Sequence, residues 1–366
     1  MNGPSDRTVI DKCDLPHCAH DRVLLRMEKD AAKVFRLVTK MIIMSVKKAL
    51  EIEGIAKSEK HEEPLEKTIP TGWLGETTQI NIDFTKLLGG IIDQYLGALN
   101  YMLLGSHAGK KAKDYAIALG LVDRMKYPGC AYGAFLSSLD AQSEFYKMLE
   151  GKSPDDIPSK TLEVAFGLIQ KQVKKMADDS LDRYKSKMIE VVSSAYRQND
   201  FQNIMNSLTA LQDDEGETDH KEVIDDAHVE IVSVNPIVKA LREVNENAEK
   251  DFSRLVDTSL SMSSSTGNFA GMATLFGADG SEMRAALVSI RDDRCCDHCQ
   301  KFSLNPDGSY RIYPLSAFKP AGTNFSLKQK DWVLTISPVH HKCRCTLVYL
   351  PRGWKITNDG DLIREG

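Results

Sequence analysis

Five of the chain's eight cysteines lie between positions 295 and 345, and none lies between Cys130 and Cys295. The middle of the chain must therefore be held by packing alone, while the last quarter carries a dense set of sulfur ligands. Compartment decides how such a cluster is read. Met1 to Thr8 is polar and lacks the apolar core of a secretory signal. The most apolar long stretch, Phe84 to Leu104, is broken by Lys86, Asp93, Gln94 and Asn100, so no membrane-spanning segment is expected. In a reducing cytosol, clustered cysteines serve as metal ligands more often than as disulfides.

The ligand pattern has two halves. Cys296-Asp297-His298-Cys299 is a C-x-x-C pair, which can form a tight knuckle presenting two thiolates to one ion. Pro338-Val339-His340-His341-Lys342-Cys343-Arg344-Cys345 supplies the rest, and a strand from Cys343 would put both of its sulfurs on one face. A tetrahedral zinc needs four ligands and five are on offer. The first choice is Cys296, Cys299, His340 and Cys343, with Cys345 the rival for the last place and Cys295 and His298 beside the site. Four protein ligands make a closed, structural site. Catalytic zinc keeps a water position, and the chain has no H-E-x-x-H.

Ahead of this cluster the hydrophobic period is helical. At 366 residues the chain is long enough for two or three domains, and 42% hydrophobic against 27% charged residues excludes wholesale disorder. Residues 1–20 read as an extended arm. Asp21 then caps a helix with the seam Leu24, Met27, Ala31, Val34, Val38 and Met41, ended by Gly54. Ser58 to Thr77 reads as a loop, Asp83 to Leu121 as helix softened by glycines, and Tyr132 to Leu149 as a further helix. Ser153-Pro154 starts a long helix bearing Phe166, Ile169, Val173, Tyr184 and Met188. Asn235-Pro236 opens another with Ile237, Leu241, Val244, Ala248, Phe252 and Leu255. Ser261 to Gly280, rich in Ser, Thr and Gly, reads as a connector. Short β-like runs follow at Ala285–Ile290, Ser309–Tyr313, Trp332–Ile336 and Thr346–Tyr349. The predicted fold is mainly α, with long amphipathic helices in the N-terminal two thirds and a small C-terminal α+β zinc-binding module. Its divisions are an arm (1–20), a helical region (21–150), a long-helix region (151–260), the module (261–355) and a tail (356–366).

The net charge of −5 conceals a segregation. Asp213 to Glu230 carries nine acids against Lys221 and reads as a solvated acidic linker. Cys295 to Lys355 carries nine bases against three acids, which makes contact with a polyanion plausible for the module. The candidate phosphate contacts are Lys328, Lys330, Lys342, Arg344 and Arg352.

The string Asp292-x-Arg294-x-Cys296-x-x-Cys299, then Gly308, then Pro338-x-His340-x-x-Cys343-Arg344-Cys345 resembles the phage head morphogenesis family, the minor capsid proteins similar to protein F of phage Mu. The likeness covers about Ala285 to Leu350. Two positions depart from it: His341 stands where the family usually has a second proline, and Ser289 and Ile290 stand where it tends to have a tryptophan. The resemblance implies a minor capsid protein that joins the procapsid in few copies. Its partners would be the portal protein, major capsid or scaffold proteins, and packaged double-stranded DNA. Its location would be the virion, in the head interior or portal vicinity, after assembly in the host cytoplasm. No enzyme is expected, because the chain offers no nucleophile–base constellation. Two other classes compete: a capsid maturation protease or other virion-associated enzyme, and a zinc-ribbon nucleic-acid-binding protein.

Three further signals are weaker. Cys13, His17, Cys18 and His20 offer four donors in eight residues, too crowded for easy chelation. Gly105-Ser106-His107-Ala108-Gly109-Lys110-Lys111 is one residue short of a phosphate-binding loop and lacks its Ser/Thr. Cys130, between Gly129 and Ala131, reads as a small core residue.

Overall fold

The computed structural model describes residues 9–10, 16–58, 84–139, 159–197, 205–206, 208–209, 236–276, 283–289, 296–341, 343 and 345–364. Long helices dominate: α1 (Pro16–Ser58), α2 (Phe84–Leu104), α3 (Lys110–Ala118), α4 (residues 130–139), α5 (Ser159–Arg197) and α6 (Pro236–Phe276). The C-terminal strands follow as two small sheets. Among the described residues, no helix is long and apolar enough to cross a membrane.

The amphipathic seams become the core. Val34, Val38 and Ile42 of α1, Phe166, Ile169, Val173 and Met188 of α5, and Leu241, Phe252 and Leu255 of α6 are all buried. Phe35 stacks on Phe252 with centroids 4.4 Å apart, and Tyr184 meets Phe35 edge-on, tying α1, α5 and α6 together.

Helix boundaries depart from the sequence reading in instructive ways. α1 begins at Pro16, before Asp21, so the predicted arm is partly helical. It also runs past Gly54, since one glycine costs a helix only about 1 kcal/mol. The helical stretch expected over 83–121 breaks after Leu104. Gly105 adopts a left-handed φ of +58° and opens a 3-10 turn, Gly105–Ala108, before α3. A side chain at Gly105 would crowd the Gly129 Cα, so the 105 turn and the 128–129 turn close on each other, with the Gly129 N–H donating to the Met102 carbonyl at 2.8 Å. Ser58, the expected start of a loop over 58–77, is the last residue of α1, and the rest of that loop, the expected helix start at Ser153-Pro154 and the acidic linker over 213–230 lie outside the described residues.

The largest correction concerns the predicted connector at 261–280. α6 continues through it to Phe276. The small residues that suggested a linker let two helices meet: a Cβ on Gly267 would collide with the Phe135 carbonyl oxygen of α4. Ser264 Oγ donates to Ser138 Oγ at 3.0 Å, which donates to Asn268 Oδ1 at 2.7 Å, so polar side chains are carried in the contact.

The strands β2 (Met283–Val288), β3 (Ile312–Pro314) and β4 (Thr346–Pro351) form an antiparallel sheet in the order β3-β2-β4, with Ala285 opposite both Tyr313 and Tyr349. Three of the four expected β runs are realised. The fourth, Trp332–Ile336, is not a strand: it follows a 3-10 turn, Gln329–Asp331, and makes a single bridge, Lys319 with Thr335. The predicted tail instead contributes to a second sheet, β1-β6-β5, in which β6 (Leu362–Arg364) lies between β5 (Trp354–Ile356) and β1 (Val9–Ile10). The two ends of the chain are therefore paired.

The sheets rest on the helices. Among the described residues, buried apolar side chains run as one continuous cluster from α1 through α6 to β2 and β4. Gly322, at a left-handed φ of +80°, has no room for a side chain: a Cβ there would collide with Gln172 Oε1 of α5 and lie 2.9 Å from Met262 Sδ of α6.

Candidate metal centre

The two ligand halves meet. Cys296 caps the short helix α7 (Asp297–Ser303), its backbone extended and its Sγ accepting the Cys299 N–H at 3.4 Å. That turn gives the knuckle expected of C-x-x-C. Ser303 Oγ, one helical turn beyond Cys299, donates to the Cys299 carbonyl at 2.6 Å and lies 3.0 Å from Ser289 Oγ, fixing α7 against the end of β2.

The second half arrives on an irregular loop. β4 begins only at Thr346, so Cys343 and Cys345 do not share a strand face as expected. The Cys343 N–H donates to the His340 carbonyl at 3.0 Å in a tight turn, and the Cys345 carbonyl accepts from Ser337 Oγ. Asn324, which the sequence reading missed, holds this loop. It is buried, donates to the Val333 and Val339 carbonyls at 2.9 and 3.2 Å, and accepts the Val333 N–H at 3.0 Å. A lone Asn before a Phe carries no sequence signal for such a role.

His340 is oriented for ligation. Its Nδ1 lies 2.8 Å from the His341 carbonyl oxygen, which can only accept, so Nδ1 carries the proton and Nε2 presents a lone pair. Nε2 is 3.3 Å from Cys296 Sγ and 3.3 Å from Cys299 Sγ. Trp332 stacks on the His340 ring at 5.4 Å and 14°, and meets His298 edge-on at 5.2 Å. Gln329 Nε2 lies 2.9 Å from His298 Nδ1, so His298 sits beside the cluster as expected, engaged elsewhere.

Cys299 Sγ is 3.7 Å from Cys343 Sγ. The donors form two trios, Cys296–Cys299–His340 and Cys299–Cys343–Cys345, each with its ligand atoms within 4.8 Å of one another. Cys299 belongs to both. Within the cluster the hydrogen bond shared by the Cys299 and Cys343 sulfurs pushes Cys299 up and holds Cys343 well below the usual thiol range; Cys345 contributes in the same sense. Burial and the neighbouring His340 keep His341 below the usual histidine range.

The separations can be compared with zinc chemistry. Zn–S bonds of about 2.3 Å and Zn–N bonds of about 2.0–2.1 Å at tetrahedral angles place two sulfurs about 3.8 Å apart and sulfur about 3.5 Å from nitrogen. The 3.7 and 3.3 Å measured here lie close to those values. The C-terminal Cys/His groups are thus close enough to hold a metal ion, and thiolate–imidazole donors suit a borderline-soft one.

The remaining sequence candidates are scattered. Lys328, Lys330 and Arg352 are exposed, while Lys342, Arg344, Asp292, Arg294 and Cys295 lie outside the described residues. So does Cys13, and His17, Cys18 and His20 are described only by their place in α1. The Gly105–Lys111 segment follows a helix rather than a strand. Cys130 is 2% exposed, and burial pushes its thiol up to about 12, as befits a core residue. No protein-family model, no curated protein and no solved structure matches this chain.

Proposed function

We propose that this chain is a minor capsid, head-morphogenesis protein of a tailed phage, its C-terminal region stapled by one structural zinc. The observation that carries the reading is the convergence of Cys296-x-x-Cys299 on His340-x-x-Cys343-x-Cys345, the two strings on which the family resemblance rests. A long helical body ahead of a small sheet flanked by the Cys/His cluster is the order of parts that family implies.

The zinc ligands in this reading are Cys296, Cys299, His340 and Cys343, which span both trios. Four protein ligands leave zinc no position for a reactive water, so the ion would link the α7 knuckle to the 340–345 loop and do no chemistry. This favours an assembly role over a protease or other virion enzyme. The helical faces would meet the portal protein, major capsid or scaffold proteins. Exposed Lys328, Lys330 and Arg352, with Lys342 and Arg344 nearby in sequence, would rest on packaged DNA through phosphate contacts that read no sequence.

Mass spectrometry of purified virus particles tests the proposal. The expected result is this chain in low copy within filled heads. Its absence from particles would overturn the reading.

A further inference from the structure

The five donors do not divide evenly. Cys296, Cys299 and His340 mix sulfur with nitrogen, and two of these three are only partly buried. Cys299, Cys343 and Cys345 are all sulfur and all buried, at 2%, 8% and 7% exposure. A tetrahedral ion must draw on both trios. An ion content with three ligands needs only the second. All-thiolate donors suit copper(I), zinc and iron–sulfur clusters alike, and of these copper(I) is the one that is satisfied by three sulfurs, whereas zinc wants a fourth ligand.

We propose that Cys299, Cys343 and Cys345 form a second coordination mode of the cluster, a buried three-sulfur site for copper(I), exclusive of zinc because Cys299 serves both modes. The inference rests on reading the cluster as a metal centre. It also gives Cys345 a use, since the four-ligand zinc set does not need it. Copper enters and stays in the +1 state, displacing thiol protons, so no electron transfer is involved.

The test uses the full-length protein, stripped with a chelator under reducing, anaerobic conditions. It is titrated separately with Zn²⁺ and with copper(I) supplied as its acetonitrile complex. One copper(I) per chain is expected, with an X-ray absorption spectrum showing three sulfurs and no nitrogen, and copper-loaded protein should take up no zinc. The absorption spectrum needs no variant, so it stands even if a substitution unfolds the loop. Cys345→Ser should weaken copper(I) binding at least about tenfold and leave zinc within about threefold, with Cys296→Ser giving the opposite pattern. Nitrogen in the copper shell, or one bound zinc with no bound copper, overturns the three-sulfur mode alone. Failure to bind either ion overturns the metal-centre reading and this inference with it.

Discussion

Cys299 Sγ lies 3.7 Å from Cys343 Sγ although 44 positions separate them. No other cysteine occupies both donor trios, so the cluster hinges on this one sulfur. α7 supplies it from one side, anchored through Ser303 to Ser289, and the Asn324-braced loop supplies Cys343 from the other. A short helix and an irregular loop meet at a single point. That arrangement is what a metal ion can lock and a small loop-rich sheet cannot easily hold alone.

The metal content should therefore be about one zinc per purified chain, and Cys299→Ser should abolish it. Elemental analysis of both proteins checks this. Chelation should lower the thermal midpoint of the wild-type chain and leave Cys299→Ser unmoved. Equal zinc in the two proteins would remove Cys299 from the ligand set.

Trp332 should report the same event. Its ring lies parallel to His340, so drawing electron density from the imidazole into a metal bond changes the environment of the indole. Zinc added to stripped protein should shift or quench tryptophan emission, and Trp332→Phe should remove most of that change. Trp354, buried in the terminal sheet, is expected to stay silent.

Gly322 tests how the sheets sit on the helices. Gly322→Ala places a methyl against Gln172 and Met262 at a backbone φ of +80°, so a loss of about 1–3 kcal/mol is expected in denaturant unfolding. Gln172→Ala clears one of the two obstacles. The double variant should recover part of the loss, and strict additivity would show that the contact is not the cause.

The site was more legible in the sequence than the fold around it, for a physical reason. Ligation demands particular atoms at short spacings, so the clustered donors Cys296, Cys299, His340, Cys343 and Cys345 stand out in the sequence. Packing makes no such demand. Ser261 to Phe276 has the composition of a linker, yet it is helix, with Met262, Met272 and Phe276 buried and the α4 backbone pressed against Gly267. Trp332–Ile336 has the residues of a strand, yet Asn324 takes the Val333 backbone groups that a neighbouring strand would need. The pairing of Val9 with Ile363 joins two very short strands from opposite ends of the chain, and no local pattern encodes it. The helical seams were readable because their period is local; where the helices stop was decided by partners far away in sequence.

Glu28 offers a measurement in the helical body that is independent of the metal. Burial, helped by the charge of Asp257 across the α1–α6 contact, raises its carboxyl above the ordinary value, although Ser253 Oγ donates to it at 3.4 Å. A raised acid binds its proton more tightly in the folded state than in the unfolded one. Between the ordinary glutamate value and the raised one, the folded chain thus holds more protons, and stability falls as pH rises through that window. Above it the cost of keeping a half-buried carboxylate is fully expressed. Glu28→Gln keeps an acceptor for Ser253 and removes the charge. The variant should unfold at higher temperature than wild type near pH 7, with the difference shrinking as pH falls towards 4. Thermal melts at several pH values check this, and a pH-independent difference would assign the effect to packing rather than to the ionisation of Glu28.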